Sequence, residues 1–170
     1  MVEGNPVKRE SIRNRKMPKL FLSFAALMIV LLSSCDSKRI YEKNIEIQDN
    51  AWDAAQKVKF EVTITDTVSG NNVFINVRHA GFYPFSNLFL FINTTFPNGK
   101  TTRDTAECIL ADDKGKWFGK GIGDLWDGRI LFKRNVRFSQ SGKYTFEYEQ
   151  AMRVDKLSGI VDIGLRIEKP

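Results

Sequence analysis

From residue 58 onward, apolar and polar positions alternate with a period of two. Val58-Lys59-Phe60-Glu61-Val62-Thr63-Ile64 places every second side chain on one face, the signature of a strand with one side buried and the other wet. Asp66–Asn72 supplies turn residues, and Val73–Arg78 returns as a second strand. Leu88–Phe96 is more continuously apolar and suits a central strand. Pro97-Asn98-Gly99-Lys100 turns the chain back into Thr101–Leu110, since Asn-Gly tolerates the positive φ that tight hairpins require. Ile130–Phe138, Tyr144–Gln150 and Gly159–Ile167 complete the set. Tyr144, Phe146 and Tyr148 share one face, as do Val161, Ile163, Leu165 and Ile167. Ile40, Ile45 and Ile47 offer a short edge strand, with Trp52 as the first large anchor, and Ala151–Leu157 reads as one helical turn or a loop. Seven or eight strands without a sustained 3.6-residue period predict an all-β domain. A two-layer antiparallel β-sandwich, jelly-roll-like, is expected, with an open barrel as the alternative.

The N-terminal segment follows a different rule. Lys8, Arg9, Arg13, Arg15, Lys16 and Lys19 precede a mostly apolar run from Leu20, which ends Leu32-Ser33-Ser34-Cys35. A basic region, an apolar core, two small residues and a cysteine form a secretory signal with a lipobox. Residues 1–34 are therefore expected to be removed, Cys35 to carry acyl chains such as palmitate, residues 35–52 to form a lipidated tether into the first strand, and 53–170 to form the sandwich. The alternative, a spanning helix with an incidental cysteine, fits less well: about 20 apolar residues are needed, and the chain turns polar at Asp36. Met17 is an alternative start.

Composition changes meaning once the signal is set aside. The formal charge is +6, but residues 1–35 hold six Lys/Arg and two Asp/Glu, leaving 20 against 18 in residues 36–170. So balanced a surface gives no basis for nucleic-acid binding. Cys108 is the one cysteine besides Cys35, in a strand-like stretch with no histidine near it, and reads as a buried structural thiol.

Candidate chemistry is sparse. His79 is the only histidine, too few for a triad or a metal cluster; after a strand and before an aromatic turn, it is expected first in a hydrogen-bonded structural role and second as a contact in a binding surface. Asp104, Glu107, Asp112, Asp113, Asp124 and Asp127 offer carboxylates but no calcium-loop spacing, and pairs of this kind arise by chance. Gly119-Lys120-Gly121-Ile122-Gly123 lacks the strand-to-helix context of a phosphate cradle and reads as a loop. No cofactor or metal is expected, and no enzymatic activity. Two segments break the alternation. Residues 82–87 carry Phe82, Tyr83 and Phe85, and residues 112–128 hold five glycines with Trp117 and Trp126. Loops on a rigid scaffold often bind, and Trp, Tyr and Arg are favoured anchors. Arg78, His79, Tyr83, Trp117, Lys120 and Trp126 are therefore the candidate binding surface. A protein partner fits a mixed aromatic and basic patch, whereas a glycan fits exposed coplanar rings. The competing role for these aromatics is to plug the ends of the sandwich.

Five blocks carry a family resemblance: Lys57–Thr67, Tyr83–Leu88, Asp104–Ala111, Trp117–Asp124 and Tyr144–Arg153, with Trp-Phe-Gly-Lys-Gly the most distinctive. Through them the chain resembles the gliding motility lipoprotein family GldH of the Bacteroidetes. The resemblance implies an outer-membrane lipoprotein, on the periplasmic face rather than the cell surface, serving gliding and the secretion machinery linked to it. It implies a process and a place, and no catalytic residue.

Overall fold

The computed structural model describes residues 36–170, so the signal segment and Cys35 lie outside the described residues. Eight long strands build two antiparallel sheets. β1 (Arg39–Glu46), β11 (Ile160–Glu168), β4 (Asn71–Ala80) and β8 (Leu125–Val136) lie side by side in that order, with the short β7 (Lys120–Ile122) on the outer edge of β8. β3 (Val58–Ile64), β9 (Gly142–Gln150), β5 (Asn87–Thr95) and β6 (Thr101–Ile109) form the second sheet. The pairing is nested: β1 with β11, β3 with β9, β4 with β8, β5 with β6. One long hairpin rolled upon itself gives this order, which is that of a jelly roll. Two further short strands, β2 (Ala51–Asp53) and β10 (Lys156–Ser158), pair beside the main sheets.

The predicted alternation holds where it is cleanest. Val58, Phe60, Val62 and Ile64 are buried while Lys59, Glu61 and Thr63 face water, and Tyr144, Phe146 and Tyr148 fill the same interlayer from β9. Phe60 lies opposite Phe146, and its ring packs against Tyr148 at 5.0 Å. Cys108 is fully buried, and desolvation followed by the nearby Glu107 charge pushes its thiol up to about 12, so it is an inert core residue.

Three expectations shift. Within residues 35–52 the expected edge strand and Trp52 anchor are present but extend further than a short strand: β1 begins at Arg39, and Ile47 and Trp52 are fully buried. Residues 120–136 are a β-hairpin, so β8 starts well before Ile130. In β11 a bulge at Val161 moves the buried phase, and Ile160 takes the place expected of Val161. Of the two readings for Ala151–Leu157 the loop holds: residues 151–155 are a loop, and Lys156 and Leu157 already belong to β10.

Every loop lies at one of two poles. The β3–β4, β5–β6 and β8–β9 connections gather where β1 starts and β11 ends. The 81–86 and 110–124 segments gather at the opposite pole with β2 and β10.

Candidate functional site

The two irregular segments are tied together at that second pole. The Gly81 N–H donates to the Asp124 carbonyl at 2.8 Å, Leu110 and Ala111 donate to Ser86, and Phe118 donates to Leu110. The Asp112 carboxylate accepts the Lys114 and Lys116 N–H groups and closes its own loop.

β4 separates the six sequence candidates by strand phase. Val73, Ile75 and Val77 point inward, and His79 continues that face at 1% exposure. Its ring packs against Trp117 at 4.5 Å and Tyr83 at 5.6 Å, and its Nδ1 lies 3.1 Å from the Ala80 carbonyl. Desolvation holds the imidazole below its ordinary pKa, outweighing the opposing pull of the Ala80 carbonyl and Asp127. Tyr83 is 3% exposed; its hydroxyl donates to the Asn87 carbonyl at 2.8 Å, and burial raises its pKa. Trp117 is half-buried over these two rings. Trp126, opposite His79 in the register, lies against Gly121, where a Cβ would stand 3.1 Å from the indole. His79 and Tyr83 are thus interior residues and Trp117 packs against the core end over them, whereas Trp126 is half-buried against Gly121.

Arg78 and Lys120 fall on the other face. Arg78 Nε donates to Asp127 at 2.6 Å and its guanidinium also meets Asp162 at 3.1 Å. With Glu42, Asn76 and Arg129 they line an open cleft of about 610 Å³ on the outer surface of the five-stranded sheet. Asp162 is pushed above its ordinary pKa, chiefly by desolvation, although Arg78 opposes this.

The centre of that face escaped the sequence reading. Arg166, 3% exposed, donates to Glu42 and Glu168, both at 2.6 Å. Glu42 also accepts from Asn76 and Arg129. Burial pushes the Glu42 carboxyl up, but these donors outweigh it and leave its pKa lowered. Gly164 leaves room for Asn44, whose amide oxygen would lie 1.9 Å from a Cβ there. The only available signal was charge at outward positions of three strands distant in sequence, which ordinarily means a solvated face.

The distinctive glycines also find their cause here. Gly119 holds φ +92°, and a Cβ would meet the Asp127 carbonyl at 2.1 Å. Gly121 forms the bed of Trp126, and Gly123 turns the hairpin at φ +62°. Past that turn, Ile122 and Phe82 stand 82% and 63% exposed, with Phe118 and Leu125 also open to solvent.

The GldH lipoprotein family model matches residues 39–167, the span of the whole sandwich. The chain belongs to this family. A gliding motility lipoprotein GldH homolog of Christiangramia forsetii is 40% identical over 148 residues, covering 83% of this chain and 90% of that protein. The gliding motility lipoprotein GldH of Flavobacterium johnsoniae is 35% identical over 150 residues, covering 84% and 92%. Among solved structures, an uncharacterized protein of Listeria monocytogenes EGD-e is 15% identical, with a TM-score of 0.36 over 69% of this chain and 9% of its own.

Proposed function

We propose that this protein is a lipid-anchored component of the outer membrane, facing the periplasm, that serves a gliding or gliding-linked secretion apparatus through non-catalytic protein contacts. The family match over the entire sandwich carries the process, and the lipobox ending at Cys35 supports the anchor. Contact falls to the loop pole, where Phe82, Phe118, Ile122 and Leu125 remain exposed on segments that backbone hydrogen bonds hold together. Exposed apolar groups on a rigid pole, rimmed by Arg78 and Lys120, suit a protein surface. The glycan alternative gains nothing from Tyr83 and Trp117, whose rings turn inward onto His79.

The test is a Phe82→Asp/Ile122→Asp variant of the acylated chain, purified from native membranes beside the wild type. Loss of specific co-purifying motility or secretion proteins, with unchanged melting and unchanged membrane retention, is the expected result. Full retention of those proteins refutes this pole as the contact surface. Cys35→Ala should abolish labelling by a clickable fatty acid; equal labelling of both chains refutes the anchor.

A further inference from the structure

We infer that the opposite pole of the sandwich, where β1 starts and β11 ends, is a basic face that lies directly on an anionic phospholipid surface. The inference rests on acylation of Cys35. Only residues 36–38 separate Cys35 from β1, so the start of the strand cannot stand more than about 14 Å from the acylated residue. A tether this short holds one end of the domain at the headgroups and leaves little freedom to swing away.

The charge at that end suits such a position. Lys38 and Lys169 are joined through the Lys169 N–H to Lys38 carbonyl bond, and Lys38 Nζ reaches the Pro170 carbonyl at 3.1 Å. Arg39 opens β1, Lys100 closes the β5–β6 turn, and Arg134 and Arg137 flank the end of β8. These connections form one surface. Gly142, at the start of β9, comes so close to Pro97 that a Cβ would lie at 2.9 Å, and Gly70 abuts Asn135 in the same way. Part of this charge is met by acids: Arg39 pairs with Glu42, and Asp66 stays ionised beside Lys169. Asp66 accepts the Val68 and Ser69 N–H groups, Glu168 accepts from Arg166, and Glu61 pairs with Lys143. Among the described residues no ion pair holds Lys100, Arg134 or Arg137. Val68, 80% exposed, stands at the tip of the β3–β4 loop as an aliphatic contact among the cations.

Nearly balanced overall, the domain therefore places Lys100, Arg134 and Arg137, three cations outside any ion pair among the described residues, at the end its anchor holds down. Polybasic segments beside a lipid anchor bind anionic headgroups and fix orientation, and salt weakens that attraction. Strands of about 30 Å then carry the 81–86 and 110–124 loops away from the lipid, presenting them outward.

The experiment uses the full acylated chain, its acyl mass confirmed, reconstituted in phosphatidylglycerol/phosphatidylethanolamine vesicles with headgroup spin-labelled lipid. Asn98→Cys and Lys114→Cys carry a fluorophore at the two poles; Cys108 is fully buried and stays unlabelled. Strong quenching at position 98 and little at 114 is expected. It should fall several-fold in pure phosphatidylcholine, at high salt, and in a Lys100→Glu/Arg134→Glu/Arg137→Glu background. The alanine triple variant takes its place if charge reversal lowers melting. Absence of quenching at 98, or quenching indifferent to lipid charge and to the triple variant, overturns the inference while leaving the anchor intact. A chain that carries no acyl group overturns the anchor and the inference together.

Discussion

Because the chain holds a single histidine, the packing of the loop pole can be read from one proton. His79 is 1% exposed beneath Trp117 and Tyr83, and burial depresses its pKa. Trp117→Ala removes the half-buried indole 4.5 Å from the imidazole. A fully buried Trp or Phe truncation costs about 3–5 kcal/mol, and aromatic pairing adds about 0.5–1.5 kcal/mol, so a half-buried ring with one close partner should cost about 2–3 kcal/mol. For a domain of this size that corresponds to a fall in melting temperature of roughly 6–15 °C. Water entering the gap should also raise the His79 pKa toward its ordinary value of about 6.5. The sign follows from linkage. The folded state holds the proton less well than the unfolded chain, so the stability associated with neutral His79 is complete above about pH 6.5 and is lost as pH falls through the depressed folded value. Trp117→Ala should shrink that acid sensitivity as well as lower the melting point. NMR titration of the imidazole and melting curves between pH 5 and 8 read both effects. A wild-type His79 that titrates at its ordinary value, or a Trp117→Ala protein with unchanged melting and unchanged titration, would refute the packing described for this pole.

Other outcomes follow from the same packing. Phe146→Ala, buried opposite Phe60, should cost about 3–5 kcal/mol by denaturant unfolding; a loss below about 1 kcal/mol would contradict its burial. Gly119→Ala should loosen the β7–β8 hairpin, because the position combines φ +92° with the nearby Asp127 carbonyl; unchanged hydrogen-exchange protection across 119–127 would count against this. Glu42→Gln should cost about 2 kcal/mol by removing the charged acceptor that Arg166, Asn76 and Arg129 share, and should flatten the stability loss below about pH 5. That window lies below the histidine one, since the Glu42 pKa is lowered, and an unaltered acid slope would exclude Glu42 as its source.

Strands with strict alternation were legible because each position's burial is set by its neighbours two residues away. The phase through Val73, Ile75 and Val77 points His79 inward, in keeping with the hydrogen-bonded structural role expected of it, whereas its second expected role, a surface contact beside Arg78, is lost to burial. The β7–β8 hairpin was hidden because its glycines, read as loop punctuation, are required by close approach to Asp127 and Trp126. The Arg166–Glu42 network joins β11 to β1, and no local window contains both residues. Similarly, the bulge at Val161 depends on the register with β4, which local alternation does not encode.

The nested pairing has a consequence for how the domain comes into being. β11, the last of the described strands, lies between β1 and β4, so the five-stranded sheet is split until residues 160–168 have been threaded into place. Long-range pairings of this kind form slowly. A polypeptide emerging from a translocon would therefore lack this interior strand until residues 160–168 have passed, which favours passage as an extended chain and commitment to the native state only afterwards. A chain cut before Ile160 would then lose the keystone of one layer, and such a clipped product should be degraded rather than accumulate as a shortened lipoprotein.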